Sequence, residues 1–166
     1  GLAPALDAAL ALDSRVLVED VVVGREVDVA VLARPDGSRL VSPTLEIAVD
    51  GIFDHDAKYG GGADFRIPAT LDEAELRVLE GAAVAVFDAL GCGGVARVDF
   101  FVTDAGPVLN EVNTMPGFTE QSQVPKMFAT AGLAYPRLLD LLVHDVLAGS
   151  AADAGAVVPV GSAACA

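Results

Sequence analysis

The sequence predicts an α+β fold, mostly antiparallel strands packed with helices. Three observations carry this. "EVDVAVLA" (Glu26–Ala33) alternates, with Val27, Val29 and Val31 on one face and Glu26, Asp28 and Ala30 on the other. That is the period of a half-buried strand. After "TLDE" (Thr70–Glu73), Leu76, Leu79, Ala83, Val86, Phe87 and Leu90 recur at helical spacing. "VARVDFFV" (Val95–Val102) and "PVLNEV" (Pro107–Val112), joined by "TDAG", read as a hairpin and hence as an antiparallel pair.

In chain order, Ala3–Leu12 is Ala/Leu-rich and reads as a helix. "RVLVEDVVV" (Arg15–Val23) is β-branched and reads as a buried strand. Gly24 turns the chain into Glu26–Ala33. "PDG" (Pro35–Gly37) is a turn signal, so the neighbouring strands form a meander. "TLEIAV" (Thr44–Val49) is another strand. "DGIFDHDAKYGGGADF" (Asp50–Phe65) is a long polar, Gly-rich loop, and loops of that length in compact domains are often functional. Thr70 is the expected N-cap, with Glu73 completing a capping box, and Gly91 closes the helix. A loop is expected over Asn113–Lys126. Pro136 starts a last helix with Leu138, Leu139, Leu142, Val143 and Val146 on its apolar side. From Gly149 the chain is Ala/Gly/Ser-rich and expected to fray, so the expected organisation is one domain over 1–148 and a disordered tail over 149–166.

Composition narrows the function classes. Hydrophobic residues make up 53% of the 166, which argues for a packed core. No apolar run approaches the roughly 20 residues of a membrane-spanning helix, and no secretory signal is visible, so no membrane partner is expected. Ten Lys and Arg stand against 24 acids, a net charge of −14. That argues against a nucleic-acid partner, which usually needs a basic face. Cys92 and Cys165 are too few for a disulfide framework, and a reducing cytoplasm fits. The chain starts at Gly1 rather than Met, which suggests a fragment or a processed product.

The hairpin carries the chemistry. A three-residue loop, Asp104-Ala105-Gly106, would place Gly106 in the left-handed position such loops favour. Asp99 then falls opposite Glu111, Arg97 opposite Asn113, and Phe101 opposite Leu109, all on one face. Val98, Phe100, Val102, Val108 and Val112 lie on the other. A two- or four-residue loop would instead put Asp99 and Glu111 on opposite faces. Facing carboxylates repel, and a divalent cation is the natural compensator. Two carboxylates and an amide oxygen suit Mg²⁺, which keeps waters and takes phosphate oxygens as further ligands. Arg97, one step away, would meet the same phosphates. The alternative is an amphipathic hairpin with its charged face in water.

"RVDFFV" with "VLNEVNTMPGFTEQSQVP" resembles the C-terminal part of the D-alanine–D-alanine ligases, within the ATP-grasp superfamily. "GREVDVAVL" (Gly24–Leu32) and "FDHDAKY" (Phe53–Tyr59) match in the expected order, so the resemblance spans about Arg15 to Leu147. It implies an ATP-grasp fold and an ADP-forming ligase that joins two D-alanines through an acyl phosphate, for peptidoglycan precursors. It implies that Asp99, Glu111 and Asn113 hold two Mg²⁺ (or Mn²⁺) ions bridging the ATP phosphates. Arg97 would stabilise charge developing during transfer, and Lys58 would meet the γ-phosphate. Glu26 would accept from the ribose hydroxyls, and Glu19 to Val22 would line the adenine, with backbone near Asp20 and Val22 reading its edge. Gly117 would offer a backbone N–H to an oxyanion, and Ser122 would bind the carboxylate of the second D-alanine. Tyr59 would close the loop over the site and favour a dipeptide product.

The family's chains are about twice as long, so the resemblance implies an N-terminally truncated chain, inactive alone, from a homodimeric cytoplasmic enzyme. The N-terminal domain that binds the first D-alanine and the early Gly-rich phosphate loop have no counterpart before Arg15. Two other readings stay open: another ATP-grasp carboxylate–amine ligase, and a non-catalytic ATP-grasp remnant.

Overall fold

A computed structural model describes residues 1–48 and 64–153, and the "DAKY" loop lies outside them. Among the described residues, six strands form one antiparallel sheet: β1 (Arg25–Ala33), β2 (Arg39–Val41), β3 (Leu45–Ala48), β4 (Asp64–Arg66), β5 (Val95–Thr103) and β6 (Gly106–Asn113). The order is β4-β3-β1-β5-β6, with β2 also pairing β1. Four helices accompany it: α1 (Leu2–Leu10), α2 (Glu73–Ala89), α3 (Gln123–Thr130) and α4 (Tyr135–Asp153).

β1 sits near the centre and is buried on both faces from Val27 to Ala33, where its alternation predicted a half-buried strand. Val27, Val29 and Val31, with Val98, Phe100 and Val102 of β5, pack against Leu79, Ala83 and Phe87 of α2. Ala30 and Leu32, with Leu45 and Ile47 of β3, pack against Val124, Met127 and Phe128 of α3 and Leu138 of α4. The helices α3 and α4 thus cover one end of the second face, while the charged positions of β1, β5 and β6 occupy the rest. Where β1 begins, Gly24 lets the two backbones close up: a Cβ there would stand 2.8 Å from the Val102 carbonyl oxygen.

Several expectations need correction. Arg15–Val23 is not a buried strand; it is irregular, pairs with no strand among the described residues, and leaves Leu17, Val18, Val21 and Val23 exposed. Valine content favours a strand only where a sheet edge and an apolar face receive it. Here β1 is already flanked by β5 on one side and by β2 and β3 on the other. The α2 cap lies two residues later than expected. Asp72 accepts from the backbone of Ala74 and Glu75, and Glu75 reaches back to the Asp72 N–H, closing the capping box. Thr70 is drawn away, its carbonyl accepting from Arg25 at 2.6 Å. Leu90, just past α2, is exposed. Asp64 and Phe65, placed in the long loop, begin β4 instead.

The expected Asn113–Lys126 loop ends early, in the helix α3, whose Val124, Pro125, Met127 and Phe128 are buried. Of the apolar side expected on α4, Leu138 is buried and Leu142 packs against the second core, whereas Leu139, Val143 and Val146 are exposed. The helix runs past Gly149, where fraying was expected, to Asp153.

The hairpin differs in detail. Thr103 pairs with Gly106, so the loop is the two residues Asp104 and Ala105 rather than three, with Gly106 at φ 114°. Phe101 therefore faces Val108, not Leu109, and Val108 leaves the face expected for it. A bulge then leaves Asn110 without a partner, and beyond it Asp99 pairs with Glu111, Val98 with Val112 and Arg97 with Asn113. The expected facing of the two carboxylates holds, through a turn one residue shorter and a bulge one residue long.

Candidate active site around Arg97

Three neighbouring strands bring their charges into one row. Asp28 of β1 pairs with Asp99 of β5, and Asp99 pairs with Glu111 of β6. Arg97, two residues from Asp99 on the same strand, lies among them. Its Nε donates to Asp99 Oδ1 at 2.7 Å and its Nη2 to Asp99 Oδ2 at 2.6 Å, a bidentate pair. Its Nη1 donates to Gln123 Oε1 at 2.6 Å. Asp28 Oδ2 is 3.3 Å from Nε and Glu111 Oε1 is 3.9 Å from Nη2.

This is not a charged face in water. Arg97 is 6% exposed, Asp99 2% and Asp28 0%. Glu111 is the open member, its side chain 60% exposed on the edge strand. Arg97 supplies the compensation that facing carboxylates need. Burial disfavours its charge, yet the Asp99 hydrogen bonds and the Asp28, Asp99 and Glu111 charges outweigh that and hold its pKa above the ordinary arginine value. Burial foremost, then the Asp99 charge, pushes Asp28 well above the usual carboxylate range, with Arg97 opposing. Among the described residues neither Asp28 oxygen has a hydrogen-bond partner.

The loop after β6 continues the site. Asn113 Oδ1 accepts from the Met115 N–H at 3.0 Å, a local turn that starts the loop. Pro116 is buried and Gly117 exposed. A Cβ on Gly117 would stand 3.2 Å from Ser122 Oγ, so these two residues are neighbours. Ser122 Oγ accepts from the Thr119 N–H at 3.0 Å and bonds the Thr119 hydroxyl at 2.9 Å. Tyr135 pins the loop from outside, donating its hydroxyl to the Phe118 carbonyl at 2.7 Å, with the two rings 6.3 Å apart.

Of the residues singled out in the sequence, Arg97, Asp99, Glu111 and Asn113 lie together on the hairpin, and Gly117 and Ser122 lie together on the following loop. Glu26 is half-buried on β1, on the alternation face it shares with Asp28. Glu19, Asp20 and Val22 lie on the irregular segment before β1, the first two exposed. Lys58 and Tyr59 lie outside the described residues. Sequence reasoning missed Gln123, which no pattern marked, and Asp28, which the β1 alternation had already placed on the face of Glu26. Among the described residues no three His, Cys, Asp or Glu side chains form a metal-binding group, so any cation here would rest on two carboxylates and an amide.

The site thus joins a central antiparallel sheet, a buried arginine–carboxylate row and a Pro-Gly loop beside it. Residues 1–144 match the family described as D-ala D-ala ligase C-terminus, and the chain belongs to that family. It is 44% identical over 155 residues to a D-alanine--D-alanine ligase of Mycolicibacterium vanbaalenii, covering 89% of this chain and 42% of that one. It is 48% identical over 149 residues to a D-alanine--D-alanine ligase of Corynebacterium glutamicum, covering 86% and 41%. Its fold is similar to that of D-alanine--D-alanine ligase from Bacillus anthracis complexed with ATP, with a TM-score of 0.76, 28% identity, and coverage of 92% of this chain and 48% of that one. VanG D-Ala:D-Ser ligase from Enterococcus faecalis superposes with a TM-score of 0.69 at 40% identity, covering 84% and 42%. The fold is therefore ATP-grasp, and the chain spans about two fifths of the length of the curated relatives it matches.

Proposed function

We propose that this chain carries the Mg²⁺ and nucleotide side of an ATP-dependent carboxylate–amine ligase that joins two D-alanines for peptidoglycan precursors. The observation that carries the reading is the row Asp28–Asp99–Glu111 around one buried guanidinium, with the Gly117–Ser122 loop following the same strand. Asp28 resists ionisation, so one guanidinium meets the facing charges of Asp99 and Glu111 and leaves one unmatched at the open edge, which fits a divalent cation shared with phosphate oxygens. Asp99, Glu111 and Asn113 would hold Mg²⁺ or Mn²⁺, as hard oxygen donors suit. The ion supplies charge neutralisation at the ATP phosphates when bound.

The protein's own share is positioning and electrostatics. The γ-phosphoryl group passes to the carboxylate of one D-alanine, with Lys58 at the phosphate. The amine of a second D-alanine, its carboxylate held by Ser122, attacks the acyl phosphate. The tetrahedral oxyanion accepts from the Gly117 N–H, and collapse releases phosphate. Arg97, fixed by Asp99 and Gln123, presents a charge that does not reorganise during transfer. Glu26 takes the ribose, the Glu19–Val22 segment with Asp20 lines the adenine, and Tyr59 closes the site. The setting is cytoplasmic, and the complete enzyme is a homodimer. The chain spans about two fifths of the length of its curated relatives, and alone it is expected to be inactive.

A second reading concerns the acceptor. The Enterococcus relative is described as a D-Ala:D-Ser ligase, at 40% identity. D-Serine differs by one hydroxyl, which a small pocket discriminates weakly. The test is phosphate release from ATP, Mg²⁺ and D-alanine by the chain co-expressed with the N-terminal portion of the Corynebacterium relative, with products identified by mass. D-Alanyl-D-alanine is expected only with both parts. Turnover by the chain alone refutes the division of labour, and a D-alanyl-D-serine product from mixed substrates replaces the acceptor.

A further inference from the structure

Asp28 is the one residue of the charged row that the proposed function leaves unused. It is fully buried, and among the described residues neither of its oxygens has a hydrogen-bond partner. A buried carboxylate in that state is costly and calls for an explanation. Arg97 Nε stands 3.3 Å from its Oδ2, but that nitrogen already donates to Asp99 at 2.7 Å. Asp99 in turn gives both oxygens to Arg97. A carboxylate held in that fork faces a cation with a guanidinium at its back, and the two positive charges compete for it. If Asp99 is a cation ligand, Arg97 needs another acceptor in the cation-bound state. Asp28 pairs with Asp99 across β1 and β5, already within ion-pair distance of Nε and with both oxygens open.

We propose that Asp28 is the alternate seat of Arg97, a positioning residue that receives the guanidinium when Asp99 serves a divalent cation. The proposal rests on the reading of Asp99 as a cation ligand. With Arg97 on Asp99, Asp28 is left without a hydrogen bond. In the cation-bound state the pairing moves one strand toward the sheet centre, Asp99 is released, and Gln123 on Nη1 keeps the guanidinium from leaving the face. Asp28 thereby lowers the cost of freeing Asp99.

The experiment uses the 166-residue chain with Mn²⁺ as probe, bound ion being read by electron paramagnetic resonance. Asp28→Leu removes the second seat. Asp28→Asn keeps the shape and one accepting oxygen and serves if the leucine variant does not fold. Asp28→Leu should weaken Mn²⁺ binding about tenfold or more, as loss of a charged hydrogen bond does. Asp28→Asn should weaken it less. Cation-free thermal stability should hold or rise, because the orphaned carboxylate is gone. In Mg²⁺ the Arg97 Nε–H should stay protected from exchange by NMR in the wild type and lose protection in Asp28→Leu. Unchanged Mn²⁺ affinity in the variants, or a parallel fall in cation-free stability and affinity, overturns the alternate seat. No Mn²⁺ binding by the wild-type chain overturns the cation reading beneath it, a separate and recognisable result.

Discussion

Replacing Arg97 by Met tests how the charged row is held. The guanidinium makes two hydrogen bonds to Asp99 and one to Gln123, and it is 6% exposed. Methionine fills part of the volume but leaves Asp99 and Asp28 buried beside each other with no cation. Removing one partner of a buried pair costs about 3–5 kcal/mol, chiefly through the charge left behind. Against a total of about 5–15 kcal/mol that is a large share of the stability. Asp28 already resists ionisation, because of burial and the Asp99 charge, and proton uptake there keeps the loss toward the lower end. The assay is urea unfolding followed by circular dichroism, with unchanged slope as the condition for reading the midpoint as stability. A second variant, Arg97→Met with Asp99→Leu, should recover most of the loss, since an apolar pair of similar volume replaces a buried ion pair at little cost. A loss below about 1 kcal/mol for the single variant, the size expected of an exposed pair, refutes the reasoning. So does a double variant no more stable than the single one.

Other outcomes follow from the same geometry. Gly24→Ala puts a Cβ 2.8 Å from the Val102 carbonyl oxygen, and the β1–β5 pairing should lose about 1–3 kcal/mol in a thermal melt. Asp72→Ala removes the acceptor of two N–H groups at the start of α2 and should cost about 0.5–2 kcal/mol, measured by denaturant midpoint. Phe87→Ala empties a fully buried site and removes the ring 5.3 Å from the Arg39 guanidinium; about 3–5 kcal/mol is expected by the same assay. Glu111→Gln should change stability by no more than about 0.5 kcal/mol, because the side chain is mostly exposed. In the complemented ligase the same change should weaken Mg²⁺–nucleotide binding by calorimetry, and equal affinity would remove Glu111 from the ligand set.

The sheet's centre was legible because its signal is local. Strict alternation over Glu26–Ala33 survives as β1, and the Leu79, Ala83 and Phe87 spacing survives as the buried side of α2. Arg15–Val23 was misread because valines state a preference for a pleated, covered surface without saying whether the fold provides one. The helix α3 was missed because its 8 residues, Gln123–Thr130, include Pro125 and span too few turns to show a period. The site splits the same way. Asp99, Glu111, Asn113 and Arg97 sit on neighbouring strands, so pairing alone collects them. Gln123 reaches Arg97 from 26 residues away by tertiary packing, which no spacing encodes.

The bulge at Asn110 makes the hairpin a counter of odd and even. Its turn and its site are separated by one unpaired residue, so the turn could be exchanged for any other two-residue loop without moving the carboxylates. Deleting residue 110 would take out only the bulge: Glu111 would follow Leu109 directly, still opposite Asp99. An insertion between Pro107 and Leu109 would do the opposite. With the bulge kept, it would carry Glu111 one step on, opposite Val98 and into the apolar layer against α2, while the turn stayed intact. In a lineage or a library, this strand should therefore tolerate the loss of one residue far better than the gain of one, and the turn should vary independently.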